Sequence, residues 1–186
     1  MTSALAPPDS SSQAPFQWFA LKVRTRSEDV AVTALQGKGY QVLSLMHQQR
    51  RRYSDRMKTV EAPVFPGYIF CRFNPHNRTP ILGSPAVEYI LGFGNGPIAV
   101  PDEELEGVRR AVIAGAHPAA HLGTGQRVRV ISGSLAGVEG ILVRVANASR
   151  LVLSIQLLQG SVAVQVDADV VEPANLPLRS LTASGE

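Results

Sequence analysis

The C-terminal third of the sequence alternates apolar and other residues with a period of two. The alternating apolar side chains fall in three runs: residues 128 and 130, residues 151, 153, 155 and 157, and residues 162, 164 and 166. A period of two places every second side chain on the same face of a strand, so each run predicts a half-buried β-strand. Short strands at this regular spacing favour a small SH3-like β-barrel over residues 124–174.

Residues 16–115 instead mix strands with helices. Strand-like runs are predicted at 16–24, 40–47, 67–73 and 86–93, with a charged hairpin at 48–63 around Ser54 and Asp55. One helix is expected after Ser27, an N-cap candidate, and a second at 101–115, where Pro101 precedes a run of acidic residues. This order of elements predicts an α+β sandwich with an antiparallel sheet.

Three segments are expected to lie outside the two domains. Residues 1–15 are rich in Pro, Ser and Ala, which predicts a disordered N-terminal arm. Residues 116–123 are small and contain Pro and Gly, which is typical of a flexible linker. Residues 175–186 are expected to form a loose tail. The domains themselves are predicted at 16–115 and 124–174.

Composition restricts the compartment and the kind of partner. Cys71 is the single cysteine of the 186 residues, so a disulfide framework and a cysteine-based zinc site are excluded, and a reducing, cytoplasmic location is expected. No run approaches the roughly 18 apolar residues that a membrane span needs. The net charge is only +3, but residues 17–78 hold eleven Lys and Arg against four Asp and Glu, a local +7. A basic half of this kind favours a binding protein over a small-molecule enzyme.

Catalytic and metal-binding patterns are weak in this sequence. The four histidines are scattered, and "HPAAH" at 117–121 falls in the predicted linker. "GFGNGP" at 92–97 lacks the Lys and Ser or Thr of a phosphate-binding loop. We therefore expect no enzyme, no metal site and no cofactor.

Two motifs resemble a known family. "GQRVRVISGSLAGVEGILVRV" at 125–145 resembles a KOW motif, and "VFPGYIF" at 64–70 resembles the FPGY element of the NusG N-terminal (NGN) domain. The stretches at 18–28 and 84–105 are similar to the first strand and to the last strand and helix of that domain. The resemblance covers about 16–173, in the family's order. The stretch at 50–70 is most similar to the specialised NusG paralogs of the UpxY and LoaP type.

The resemblance implies a monomeric transcription elongation or antitermination factor. Its NGN domain is expected to bind the clamp helices of the largest RNA polymerase subunit, bridge the cleft and suppress pausing or termination. The residues implied in polymerase binding are Trp18, Phe19, Phe65, Pro66, Tyr68 and Phe70, with Arg78 and Thr79 at a polar loop that faces the opposite side of the cleft. Strand alternation leaves open which of the aromatic residues belong to the core and which to the interface.

Two further sets of residues complete the expected sites. Nucleic-acid contacts, with non-template DNA or nascent RNA, are expected from Arg24, Arg26, Arg50, Arg51, Arg52, Arg56 and Lys58. A partner of the KOW domain is expected at Ser134, Leu135 and Ala136. Leu135 stands where the family usually carries an aromatic residue, which weakens the case for Rho. The alternating Val and Leu residues favour a stable barrel over the helical refolding seen in one relative.

Two alternative functions stay open at this point. One is a general NusG-type factor whose KOW domain couples to Rho or to ribosomal protein S10. The other is a ribosome-associated KOW protein that binds RNA, a class that is usually far more basic and that would not explain the "VFPGYIF" domain.

Overall fold

The computed structural model describes residues 16–52, 56–94, 96–119, 125–145 and 148–174. The predicted arm, the predicted tail and the tip of the predicted hairpin at Ser54 and Asp55 lie outside these residues. The predicted α+β class is confirmed, because the described residues combine antiparallel sheets with three α-helices.

An antiparallel sheet forms the centre of the N-terminal half. Its strands are β1 (Gln17–Val23), β2 (Gln41–Leu43), β5 (Tyr68–Phe73), β6 (Val87–Ile90) and β9 (Ala99–Val100). They follow the order β2-β5-β1-β6, with β9 also paired to β1. Two small hairpins lie outside this sheet: β3 (Met46–Arg52) with β4 (Met57–Pro63), and β7 (Gly92–Phe93) with β8 (Gly96–Pro97).

Helices cover one face of the sheet and build the first core. Strand alternation directs Phe19, Leu21 and Val23 of β1 to this face. There they pack with Ile69, Cys71 and Phe73 of β5 and with residues of α1 (Glu28–Gly37) and α2 (Thr79–Leu82). The first turn of α1 carries Glu28 and Asp29, as the helix dipole favours.

The C-terminal half is β-structure, as its alternation predicts. The strands are β10 (His117–Ala119), β11 (Gln126–Val130), β12 (Glu139–Val145), β13 (Ala148–Ile155), β14 (Gly160–Val166) and β15 (Val171–Pro173). They form one antiparallel sheet in the order β10-β14-β13-β12-β11-β15, called the C-terminal sheet below.

The beginning of the predicted linker is instead a strand. Residues 117–119 form β10, whose register pairs Pro118 with Val162 at the edge of the C-terminal sheet. An edge position tolerates a proline, because the missing N–H faces away from the ladder. The expected linker at 116–123 thus contains a short strand, and its residues 120–123 lie outside the described ranges.

A second core joins the two halves of the chain. Helix α3 (Asp102–Ile113) buries Leu105, Val108 and Ala111 between the N-terminal sheet and the C-terminal sheet. One continuous apolar cluster contains these residues, the second face of the N-terminal sheet, and Leu151, Leu153, Ile155, Val162 and Val164 of the C-terminal sheet. The two halves are therefore packed against each other in this structure.

Candidate protein and nucleic-acid binding surfaces

A tight turn at 64–68 positions the aromatic residues of "VFPGYIF". Gly67 has φ +78°, a left-handed conformation in which a residue with a Cβ atom is strained, so the turn favours glycine. The Gly67 N–H donates to Oε1 of Glu28 at 2.8 Å, which fixes the turn against the start of α1. The Tyr68 N–H donates to the Phe65 carbonyl at 3.1 Å, and β5 begins there.

Phe65 and Phe70 lie on the face of the N-terminal sheet that meets the C-terminal sheet. Their rings pack edge to face with centroids 6.1 Å apart, and both side chains are buried. The Phe65 ring lies directly against Gly160 at the start of β14. Both residues therefore form an apolar surface that the C-terminal sheet covers.

The remaining residues expected at this surface differ in exposure. Tyr68 is half-buried, and Nζ of Lys22 lies 4.5 Å from its ring centroid, a cation–π contact. Trp18 is half-buried and lines an open cavity of about 580 Å³ between α1, β2 and α3. Pro66 is exposed. Phe65, Tyr68 and Phe70 are called the aromatic corner below.

Phe19 is a core residue and has no place on this surface. It follows Trp18 directly in β1, so its side chain points to the opposite face of the sheet. There it is 1% exposed and packs on Phe73 with ring centroids 4.6 Å apart. Phe19 therefore belongs to the first core in this structure, and the polymerase contact expected at this residue stays a prediction.

The expected partner loop of the C-terminal half contacts α3. Arg110 donates from Nη2 to the Ser134 carbonyl at 2.5 Å and from Nη1 to the Ala136 carbonyl at 3.0 Å. Leu135, between them, is buried in the shared core. The carbonyl oxygens of Ser134 and Ala136 and the side chain of Leu135 thus all contact the N-terminal half.

A glycine on α3 allows this close approach. A Cβ atom on Gly107 would lie 3.3 Å from Cδ2 of Leu153 and 3.4 Å from Cγ1 of Val138. Glycine in a helix interior costs about 1 kcal/mol relative to alanine, so its presence here points to a packing requirement. The sequence shows this glycine without showing what it contacts, because the contact is made across the fold.

The basic residues are exposed and extend over two elements. Arg24 and Arg26 lie at the turn between β1 and α1, and the other exposed basic residues lie on the β3–β4 hairpin: Arg50, Arg51, Arg52, Arg56 and Lys58. In the hairpin, Arg51 stands directly opposite Lys58. Like charges in a cross-strand pair are destabilising, which favours an anionic partner. The fold also brings Arg26 and Arg51, 25 residues apart in sequence, to one groove.

Arg78 and Thr79 lie on a separate surface. Both are exposed where α2 begins. Arg78 lines a shallow groove with Leu82, Tyr89 and Phe93, three exposed apolar side chains. The sequence analysis did not identify Tyr89 and Phe93, because an exposed ring in a strand has the same local pattern as a buried one.

Two histidines meet where the hairpin approaches β10. The rings of His47 and His117 are edge to face with centroids 5.9 Å apart, and Nδ1 of His47 is buried without a hydrogen-bond partner among the described residues. Burial lowers the pKa of His47, and repulsion from His117 lowers it further, against a backbone hydrogen bond of Gln48 that raises it. The described ranges contain no group of three or more His, Cys, Asp or Glu side chains placed to hold a metal ion.

The geometry describes an α+β chain with an apolar aromatic surface and a separate basic surface. A profile of the family described as "Transcription termination factor nusG" matches residues 16–109. The chain belongs to the NusG family, whose members are non-enzymatic transcription elongation factors that typically bind RNA polymerase.

The other comparisons add little to this assignment. The fold is similar to the solved structure titled "Domain interaction in Thermotoga maritima NusG", at 17% sequence identity and a TM-score of 0.49, over 86% of this chain and 97% of that chain. No curated protein matches the sequence. None of the helices in the described ranges is long and apolar enough to span a membrane.

Proposed function

We propose that this chain is an elongation and antitermination factor that docks on the clamp helices of RNA polymerase through the aromatic corner and Trp18. The proposal rests on which residues pack over the aromatic corner. Phe65 packs against Gly160 of the C-terminal sheet, and Phe65 and Phe70 belong to the apolar cluster that includes this sheet and α3 rather than to the first core. Removing that cover would expose a continuous apolar face on a rigid sheet, which suits protein docking.

Docking then requires the two halves to separate. Each aromatic ring transferred from water into an interface contributes roughly 1.5–3 kcal/mol, so the clamp helices can replace the C-terminal sheet as the cover of this face. Separation also frees Ser134, Leu135 and Ala136 from Arg110, which makes the loop available to a further partner. In this proposal, separation of the two halves permits both polymerase binding and the recruitment of a further partner through the KOW region.

The exposed residues have supporting roles in the proposal. Arg24, Arg26 and the basic hairpin contact the phosphates of non-template DNA or nascent RNA. Arg78 and Thr79 touch the polymerase on the opposite side of the cleft. Bound in this way, the N-terminal domain (16–115) bridges the cleft and suppresses pausing or termination, while domain 124–174 recruits a second factor.

A docking experiment on the full chain tests the proposal. Tyr68→Ala should weaken binding to core RNA polymerase about tenfold or more, since it removes one buried ring. Phe16→Ala is the matched control, because Phe16 is an exposed aromatic residue that lines neither the aromatic corner nor the groove of Arg78. Equal losses in both variants, or capture of ribosomal subunits without polymerase from a lysate, would contradict polymerase docking through the aromatic corner.

The specialised role, of the UpxY and LoaP type, is tested by where the factor acts. We propose confinement to a few long operons, which occupancy mapping of the tagged protein with polymerase would show. The second candidate is a general factor that couples to Rho or to ribosomal protein S10. Leu135 favours the specialised role, because an aliphatic side chain replaces the aromatic residue of the general factors at this loop. Broad occupancy would favour the second.

A further inference from the structure

A shallow groove lies at one edge of the N-terminal sheet, between α2, strand β6 and the β7–β8 hairpin. It encloses about 320 Å³, and β6 ends the strand order at this edge. Three large apolar side chains line the groove and are strongly exposed: Leu82 at 45%, Tyr89 at 50% and Phe93 at 77%. Single exposed apolar residues are common, but a group of them in one groove indicates a binding surface.

The lining of the groove suits a proline-rich ligand. Besides the three exposed side chains, Pro97 and three glycines line it. A Cβ atom on Gly94 would meet nothing within 4 Å, so the hairpin leaves open space above its backbone. Peptide-binding domains use shallow grooves with exposed aromatic rings to bind polyproline II segments, because such a segment is already extended and loses little entropy on binding.

Arg78 adds a positive charge at the rim of this groove. It is exposed at the N-terminal end of α2, and it is the one charged side chain among the described residues that line the groove. No acidic side chain of the described ranges lines the groove beside it. The guanidinium group therefore favours a ligand that carries a carboxylate next to its prolines.

Residues 5–9 of this chain combine these features. They read "LAPPD", which contains the only two adjacent prolines of the 186 residues, and Asp9 is the single charged side chain of residues 1–15. Adjacent prolines favour the polyproline II conformation, because each proline ring fixes φ. The segment precedes the described ranges, which begin at residue 16.

The length of chain before β1 is sufficient for this segment to reach the groove. Leu21 of β1 stands opposite Ile90 of β6, which lines the groove. From Phe16 to Leu21 the strand rises about 17 Å, at roughly 3.4 Å per residue, and β6 lies about 5 Å to the side. A polyproline II chain rises about 3.1 Å per residue, so the residues from Pro8 to Phe16 span up to about 25 Å. Pro8 can therefore reach the groove when the chain before Phe16 runs back toward β6.

We propose that this groove binds residues 5–9 of the same chain as a polyproline II segment. Pro7 and Pro8 pack on the exposed aromatic rings, and Asp9 pairs with Arg78. The contact is intramolecular and needs no polymerase, so it goes beyond the proposed function. While it is docked, the segment occupies the surface through which Arg78 is proposed to touch the polymerase, and this consequence, unlike the docking itself, rests on the proposed function.

Paramagnetic relaxation enhancement in the full chain tests the docking. A nitroxide on Ser3→Cys can be attached selectively, because the native thiol of Cys71 is fully buried. The label should broaden the amide signals of residues 87–93 more than those of the C-terminal sheet. Phe93→Ala should remove most of this broadening, since it deletes the most exposed ring of the groove. Ile113→Ala is the matched control and should change nothing, because Ile113 is 73% exposed at the end of α3 and lies outside the groove.

Exchanging the two charges tests the ion pair. Arg78→Asp should lower the equilibrium constant of docking about two- to fivefold, the contribution of one exposed ion pair. Asp9→Arg in the same chain should restore the broadening, because the pair is then re-formed with reversed charges. Replacing both Pro7 and Pro8 by glycine should abolish the broadening, since it removes the pre-extended conformation.

Three results would overturn the proposal. Broadening that is spread evenly over the surface and unchanged in Phe93→Ala would mean that residues 5–9 do not dock in the groove. Broadening of an isotopically labelled, nitroxide-free copy by a nitroxide-labelled copy in the same sample would assign the groove to a second copy of the chain. A charge exchange that fails to restore docking would exclude the pair of Asp9 with Arg78. None of these measurements requires polymerase, so they decide the docking separately from the proposed function.

Discussion

The ring of Phe65 lies so close to Gly160 that a Cβ atom on the glycine would be 2.7 Å from Cε1 of the ring. A contact of that length cannot be kept, so a side chain at Gly160 must push the start of β14 away from the aromatic corner. We expect Gly160→Val to shift the chain toward the separated arrangement and to increase core polymerase binding, measured by pull-down and by Trp18 fluorescence.

The control for this substitution is Gly37→Ala at the end of α1. A Cβ atom on Gly37 would meet nothing within 4 Å, so polymerase binding should not change. Weaker binding in a folded Gly160→Val protein would contradict the role of the C-terminal sheet as a cover.

The contact between the two halves can also be tested at Arg110, which joins α3 to the loop at 134–136. Arg110→Ala removes the hydrogen bonds to the Ser134 and Ala136 carbonyls, and it should weaken the packing of the two halves by about 1 kcal/mol, a typical net contribution of such bonds. The measurable result is faster amide hydrogen exchange at residues 134–138. Arg109→Ala is the matched control, since Arg109 pairs with Glu106 on the exposed side of α3. Equal amide exchange rates in the two variants would argue against a specific role of the Arg110 hydrogen bonds in holding the two halves together.

The sequence predicts those parts of the fold that depend on residues close together in the chain. Alternation over 151–157 predicted strand β13, and the Pro101 start with its acidic first turn predicted α3, because both patterns are local. The same alternation was ambiguous for the aromatic residues. It separates Trp18 from Phe19, but it does not say which face of the sheet the helices cover.

The contacts between distant segments were beyond prediction from the sequence. Arg110 contacts Ser134 and Gly107 approaches Leu153 across different elements, Arg26 and Arg51 line one groove, and no local period relates the members of any of these pairs. Strand β10 lies in a segment for which the sequence predicts a linker, because "HPA" has the composition of a loop. Its extended form is fixed by pairing with β14 rather than by its own side chains.

The stability of the packed arrangement should decrease in mild acid through His47. Its pKa is lowered from 6.5 in the folded protein, chiefly by burial. The unfolded chain therefore binds more protons than the folded one below about pH 6.5, and the free energy of unfolding must fall as the pH drops through that range. Urea denaturation between pH 7.5 and 5.5 should show this decline, and His47→Gln should reduce it.

His117 supplies the control for this pH dependence. Repulsion from His117 is one of the smaller causes of the shift, so His117→Gln should remove part of the decline and leave the rest. The charged groups that line the grooves next to His47 are Arg26, Glu28, Arg50 and Arg51. An unchanged pH profile in His47→Gln would assign the decline to other groups.

Cys71 reports on the first core independently of the contact between the halves. It is fully buried on β5 between α1 and the sheet, and burial raises the pKa of its thiol to about 12. Alkylation by iodoacetamide needs an accessible thiolate, so at pH 8 it should proceed only through opening of this core.

Ile81→Ala, which leaves a cavity in the same cluster, should lower the free energy of unfolding by about 2–5 kcal/mol and accelerate alkylation at least tenfold. Gly160→Val should leave the rate unchanged, because Phe65 and Gly160 meet on the opposite face of the sheet. Equal acceleration in both variants would mean that the two cores open together and that the halves do not separate as folded units.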